Sequence, residues 1–301
     1  MFVAAIRYRF PLDWPDAIIA GTAGTVDRTS QYIAFGEGAA ARLAPCGTFV
    51  GWRGSAAGMH PLLPTDRVFV LTGAGISAES GLPTFRGADG LWRGHRVESV
   101  ATPDAFRANP EMVWQFYSER RKRHTSVIAN KAHFALAELE RHLGEHFFLC
   151  TQNVDSLHEQ AGSERVVHMH GRLMQTRCSR EGCRSKPFDD DRLYLKRAEI
   201  PSCQACGALL RPHICWFGEV PYSMDRIFEQ LRICTLLLTV GTSGVVEPAA
   251  SFVRMARMHR ARSIYVGPEE PTNRAYFDEV VLGKAGDVLP SLVKQLAGQT
   301  A

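Results

Sequence analysis

The chain has 301 residues, 45 % of them hydrophobic and 22 % charged, which is enough apolar mass for one large domain or a large and a small one. Its 35 basic and 31 acidic side chains leave a net +4, with no block of positive charge for nucleic acid and no run of 18 uncharged apolar residues to cross a membrane. The opening MFVAAIRYRFPLDWPD breaks its apolar stretch with Arg7, Arg9 and Asp13, which argues against a secretory leader, so a cytoplasmic protein binding neutral partners or small anions is expected.

Residues 1–58 are rich in small residues (GTAGTVD, GEGAAARLAPCG, GWRGSAAG) and carry no long periodic element. They read as a poorly ordered N-terminal extension or as an over-read start, with Met59 as the true beginning of a domain over 59–301. From there short apolar strands alternate with helices. Strands are expected at Val68 to Thr72, Phe147 to Thr151, near Val166 to His168, Thr235 to Val240 and Ser263 to Gly267. Helices are expected from about Ile76, across 111–143, and over 222–232, 248–258 and 286–297. That alternation implies an α/β fold with a doubly wound, Rossmann-like parallel sheet. A helical insert falls at about 100–143, and residues 172–212, with many charges and little apolar periodicity, form a second, metal-stapled insert.

Of the eight cysteines, Cys46, Cys150, Cys215 and Cys234 are scattered, the last three within strand-like apolar runs, whereas Cys178, Cys183, Cys203 and Cys206 cluster. Clustered ligands beside buried thiols are the pattern of a reducing compartment. The spacing Cys178-x4-Cys183 and Cys203-x2-Cys206 can close a tetrahedral thiolate shell around one zinc ion. Four thiolates leave no open position, so the ion is expected to be structural.

Three further stretches carry polar chemistry. GAGISAESGLPTFRG (73–87) follows a strand, and Gly73 and Gly75 would let the backbone turn tightly against a pyrophosphate. The next glycine falls at 81, off the usual Gly-x-Gly-x-x-Gly spacing, so a plain dehydrogenase reading fits poorly and a structural turn stays open. TQNVD (151–155) and HMHG (168–171) each end a strand-like run, where open α/β sheets bind ligands; His168 and His170 are both open as the functional histidine. In WQFYSERR (114–121), Val113, Phe116, Tyr117, Val127 and Ile128 follow a helical rhythm that calls for an apolar residue at 120, where Arg120 stands instead. Residues 119–123 alone read as one solvated charged face.

Taken in order, GAGISAESGLPTFR, TQNVD, HMHG, the four cysteines, RPHICWFGE (211–219), GTSGVVEPAA (241–250) and GKAGDVLPSLV (283–293) resemble the sirtuins, the NAD-dependent protein-lysine deacylases, over roughly residues 65–297. The resemblance implies that Gly73, Ala74, Gly75, Ser77, Phe85 and Arg86 line the NAD phosphates and nicotinamide ribose, with Gly241, Thr242 and Ser243 under the adenosine side. It implies that Gln152, Asn153 and Asp155 hold the nicotinamide end, and it adds Trp92, Val154, Gly267, Pro268, Glu269 and Ala285 to the cofactor contacts. His170, joined to Gly171, matches the family's general base, and Asn153 is the second catalytic position. Such a base suits an imidazole titrating near neutral pH.

The same resemblance places an extended substrate strand between the segment of Cys215, Phe217, Gly218 and Glu219 and the GVVEP loop, as in β-augmentation. Tyr117 and Arg120 match a Tyr-x-x-Arg pair that receives a succinyl or malonyl carboxylate in one sirtuin class, and Ala101 matches the small residue that widens that pocket. The implied protein is a monomer that uses NAD and one structural zinc ion on acyl-lysine proteins, with no nucleic-acid or membrane partner. Mono-ADP-ribosyl transfer and NAD-dependent oxidoreduction on the same scaffold are the alternatives. The chain departs from the family at Gly267, where asparagine is common, at Glu247 in GVVEP, and at Cys215, where valine is common.

Overall fold

Nearly continuous runs of Val, Leu, Ile and Phe build the centre of the molecule, because a strand covered on both faces has no polar side to show. The computed structural model describes residues 60–84, 91–92 and 95–299, with the backbone pairing of Tyr8–Arg9 to Tyr32–Ile33 besides; side chains of residues 91–98 fall outside it. The expectations for residues 1–58 therefore lie outside the described residues. The chain divides into two units, Met1–Gly54 with Phe217–Val220, and Ser55–Trp216 with Pro221–Ala301.

The main sheet of the second unit has six parallel strands: β1 (Val68–Thr72), β2 (Phe147–Thr151), β3 (Val166–His168), then β7 (Leu236–Val240), β8 (Arg262–Gly267) and β9 (Glu279–Leu282), in the order β9-β8-β7-β1-β2-β3. β9 is an addition to the expected strands; EVVL is short and half-buried at the sheet edge. The period of two sorts the side chains between two helical layers. Val68, Val70, Leu149, Leu236, Leu238, Ile264 and Val266 pack with α3 (Lys131–Leu143) and α7 (Ala285–Leu296), whose Leu136, Leu139, Leu289 and Leu292 are fully buried. The intervening Phe69 ring, 5.0 Å from that of Phe148, meets the other layer at Phe252, which opens α6 (Phe252–Met258) and stands edge-on to Phe228 of α5 (Met224–Ile233). The sheet is doubly wound, as expected. The stretch 100–143 spans both systems: α3 covers the sheet, while α1 (Pro103–Ala108) and α2 (Pro110–His124) join a separate aromatic cluster.

The segment at 74–80 is a 3-10 helix, Ala74–Ser80, closed by Gly81 at φ +88°. Gly81 thus ends a turn rather than completing a phosphate fingerprint. Glu79 on this turn accepts the backbone N–H of Gly286 at 2.7 Å, putting a carboxylate on the amino end of α7, whose own cap residue Lys284 offers no oxygen.

Residues 171–214 form a three-stranded antiparallel sheet, β4 (Gly171–Cys178), β5 (Phe188–Asp189) and β6 (Leu210–Ile214), ordered β6-β4-β5. These strands are not legible in the sequence because half of their residues are polar or charged. Arg121 ties α2 to them. It is 0 % exposed and donates to the carbonyls of Leu173, Gln175 and Arg192 and to Thr176 Oγ1 at 2.8 to 3.1 Å, with Asp190 at 3.6 Å. The expectation of a solvated face over 119–123 holds for the exposed Glu119, Lys122 and Arg123 and is corrected at Arg121; the available signal was the spacing of seven between Arg121 and Trp114, over whose ring it lies at 5.0 Å. Conversely α2 stops at His124, so Val127 and Ile128 are not part of its apolar face, and Ile128 is 76 % exposed.

Removing the Arg121 fork would strand several buried carbonyls and weaken the hold on Asp190. Arg121→Met should cost about 3 to 5 kcal/mol of stability. Urea unfolding monitored by tryptophan fluorescence checks this, and an unchanged midpoint would show the fork to be dispensable.

Candidate functional site

The strand order reverses between β7 and β1, so the loops after these two strands meet at the switch point at their carboxyl ends, the crevice position at which open α/β sheets place ligands. Three glycines let the two loops touch. Gly73 N–H donates to Val240 O at 2.9 Å, Gly75 N–H donates to Gly241 O at 2.8 Å, and a Cβ on Gly75 would lie 2.7 Å from Gly241 Cα. Gly241 itself has φ +64° and a Cβ there would lie 2.5 Å from the Ile76 nitrogen. The glycines were expected to admit a pyrophosphate; in the structure their first use is to let the loops pack on each other.

On the other side of β1, Thr72, Thr151 and His168 are in register, so TQNVD and HMHG emerge side by side. Asn153 Nδ2 donates to Gly73 O and Ser77 Oγ, both at 3.2 Å, and Ser77 Oγ donates to Asp155 Oδ2 at 3.1 Å. Gln152 Nε2 reaches across the crevice to Thr242 Oγ1 at 3.2 Å. Asn153, Asp155 and Ser77 are thus joined into one buried polar network. Beneath it lie groups that sequence reading missed. Thr72 Oγ1 donates to Thr151 Oγ1 at 2.8 Å and lies 3.0 Å from His158 Nε2, while His133 Nε2 lies 3.5 Å from Ser77 Oγ. Burial holds both imidazoles neutral, pushing His158 well down and His133 down to about 4. Neither lies in a motif, and only their packing against the strand ends reveals them.

The two histidines of HMHG differ in what holds them. His168 is pinned between acceptors, Asn153 O at 3.0 Å from Nδ1 and Glu159 Oε1 at 2.8 Å from Nε2. Burial pushes the Glu159 carboxyl up, but the His168 bond and the Arg172 charge outweigh it and hold the group below its ordinary range. His170 has one such contact, Nδ1 to Gln152 O at 3.0 Å. A carbonyl only accepts, so Nδ1 carries the proton and Nε2 presents a lone pair. Burial pushes His170 down to about 4, opposed by that bond, so it is neutral at pH 7. That lies below the near-neutral range expected for such a base, because the strand ends that position the ring also desolvate its cation.

Of the other expected cofactor residues, Gly73, Ala74, Gly75, Thr242 and Ser243 line the loops at the crevice, and Gly267 ends β8 beyond them. Space at Gly267 is taken by Tyr265, whose hydroxyl donates to Thr242 O at 3.1 Å and would lie 2.3 Å from a Cβ on residue 267. The glycine in place of asparagine is thereby explained by the tyrosine two residues earlier. Pro268 and Glu269 are exposed after β8, and Ala285 is buried at the start of α7. Val154 O accepts Leu173 N–H at 2.8 Å, so it links the crevice to β4. Phe85 and Arg86 lie outside the described residues, and of Trp92 only its backbone, in a two-residue strand, is described.

Tyr117 and Ala101 are buried with Phe106, Phe116 and Trp216 in one aromatic cluster, and the half-buried Arg120 has its guanidinium 5.6 Å from the Phe116 ring. Trp216 Nε1–H donates to the Tyr117 hydroxyl at 2.9 Å. Cys215 is half-buried just beyond β6, outside the strand-like run expected for it, and its N–H donates to His170 O at 2.9 Å. Phe217, Gly218 and Glu219 fall in the first unit.

The four clustered cysteines converge. Their Sγ atoms all lie within 4.8 Å of one another, Cys178 to Cys206 at 3.4 Å and Cys183 to Cys203 at 3.8 Å. A tetrahedron with Zn–S bonds of about 2.3 Å has edges of about 3.8 Å, so the donor set and its size fit zinc.

A family model described as the Sir2 family matches residues 73–248. Curated relatives named NAD-dependent protein deacylase include those of Pasteurella multocida, 46 % identical over 236 residues (76 % of this chain, 97 % of that protein), and Vibrio cholerae, 43 % identical over 241 residues (79 % and 96 %). A solved Sir2 homologue in complex with NAD aligns at a TM-score of 0.70 and 41 % identity, over 78 % of this chain and 91 % of that one. An ADP-ribose complex of a variant Sir2 homologue gives the same TM-score and identity, over 78 % and 94 %. The chain belongs to the Sir2 family.

Proposed function

We propose that the protein is an NAD-dependent protein-lysine deacylase that removes succinyl and malonyl groups, and acetyl groups as well, releasing nicotinamide and O-acyl-ADP-ribose. The names of the relatives support the deacylase activity. The acidic-acyl preference is carried by one observation: Tyr117 lies in the aromatic cluster that also buries Ala101, and Arg120, three residues on along α2, has its guanidinium 5.6 Å from the Phe116 ring of that cluster. A guanidinium and a phenol against an apolar wall are donors matched to a carboxylate.

When bound, NAD supplies the ribose carbon that receives the acyl oxygen as nicotinamide departs. Gly73, Gly75 and Thr242 would seat its phosphates and adenosine side, while Asn153, Asp155 and Ser77, already cross-linked, would hold the nicotinamide end without reorganising. His170, with Nε2 as acceptor, would take the proton of the attacking ribose hydroxyl. The acyl-lysine protein would enter as an extended strand at Cys215 and Phe217–Glu219. Cys178, Cys183, Cys203 and Cys206 would hold one structural zinc ion. A monomer acting in the cytoplasm completes the reading.

Mass spectrometry of matched acetyl-, malonyl- and succinyl-lysine peptides incubated with NAD tests it, and loss of the acidic acyl groups with equimolar nicotinamide is the expected result. Hydride transfer to NAD, or nicotinamide release with every acyl mark retained, would instead favour the oxidoreductase or ADP-ribosyl-transfer alternatives. Arg120→Met should cost about 2 to 5 kcal/mol in transition-state binding for succinyl-lysine and far less for acetyl-lysine. Equal loss on both peptides would make Arg120 a support of the fold.

A further inference from the structure

Trp216 stands in RPHICWFGE, yet no role in cofactor or backbone recognition uses its side chain. The indole is 2 % exposed and held by two neighbours: the Arg211 guanidinium lies 3.3 Å from its ring centroid, and the Phe106 ring lies tilted against it at 5.5 Å. Arg211 is itself anchored by a bond to Ile214 O at 2.7 Å. So held, the indole N–H donates to the Tyr117 hydroxyl at 2.9 Å.

We infer that Trp216 is a specificity-determining positioning residue, which sets the direction in which Tyr117 donates its hydroxyl proton. An indole N–H can only donate, so the Tyr117 oxygen must accept. A phenol O–H prefers the ring plane and has two orientations there; the lone pair occupied by Trp216 fixes one side, and the proton is turned to the other. Tyr117 then meets a ligand as a donor. A carboxylate, which only accepts, fits that polarity, and the methyl group of an acetyl chain has no use for it. The inference rests on the acidic-acyl reading and adds to it that selectivity is stored in a side chain that need not touch the substrate.

The test compares kcat/KM on succinyl- and acetyl-lysine peptides for the wild type, Tyr117→Phe, Trp216→Phe and the double variant. The ratio of succinyl to acetyl should fall about tenfold in Trp216→Phe, the scale of one hydrogen bond to an ionised group. The double variant should fall no further than Tyr117→Phe alone. Should Trp216→Phe be too unstable to assay, benzothienylalanine at position 216 replaces the N–H by sulfur in a ring of the same shape and should give the same fall. A selective loss in Tyr117→Phe with the ratio unchanged on deleting the indole N–H would overturn the inference and leave the acidic-acyl reading standing. A wild type without activity on succinyl-lysine would overturn both.

Discussion

His170→Ala is expected to lower turnover by about 10² to 10⁴, the range for loss of a general base, while leaving NAD binding nearly intact. The split arises from the contacts. The His170 ring touches the rest of the crevice through one bond to the Gln152 carbonyl, whereas Gly73, Ser77, Asn153 and Asp155 are joined to one another without it. Removing the ring therefore deletes a proton acceptor and leaves the framework in place. The wild-type pH profile gives a second readout. Burial pushes His170 down to about 4, so the acceptor form persists as pH falls from 7 and is lost only on approach to that value. The acid limb of kcat/KM for NAD should accordingly lie below pH 6, with steady-state rates and calorimetric NAD binding as the measurements. Near-normal deacylation by His170→Ala would refute the assignment, and comparable losses of turnover and NAD affinity would mean that the ring serves binding.

The second large effect is expected at the cysteine cluster. One zinc per chain should be found by elemental analysis, and Cys203→Ala should abolish it and unfold β4–β6 locally. Around the sulfurs there is little else: their apolar neighbours are Leu210 and Ala208, while Leu173, Tyr194, Ile200 and Ile214 of the same insert pack away from them with α1 and α2. Binding of zinc to such a site contributes on the order of 10 kcal/mol, more than so small a core can supply. Because Arg121 and Trp114 tie this sheet to α2, through Leu173 O and Leu210 O at 2.9 Å each, the damage should spread to the aromatic cluster around Tyr117. Limited proteolysis within 172–212 and acetyl- against succinyl-peptide rates would track it. A zinc-free variant with unaltered proteolysis and selectivity would show the metal to be incidental.

How far the sequence alone leads differs between parts of the site. Strand cores such as VFVLT and FFLCT are legible because two-sided burial demands unbroken apolar runs, and the ends of FFLCT and VVH put TQNVD and HMHG at the carboxyl edge of the sheet. Arg121, His133 and His158 were not legible, because a buried charged or titratable side chain is betrayed only by the partners that the fold brings to it from distant segments.

The sequence by itself determined five of the six strands of the parallel sheet, the four thiolates at metal-ligand spacing, and the polar residues at the strand ends, since each depends on neighbours a few positions away. Only the tertiary structure decided which histidine keeps a ring nitrogen as acceptor, why residue 267 has no side chain, and which of two adjacent arginines is sealed in the core. Those outcomes depend on a carbonyl at Gln152, a hydroxyl from Tyr265 and the carbonyls of Leu173 and Arg192. Hydrogen bonding and exclusion act at contact distance, and local sequence pattern does not record which distant groups come into contact.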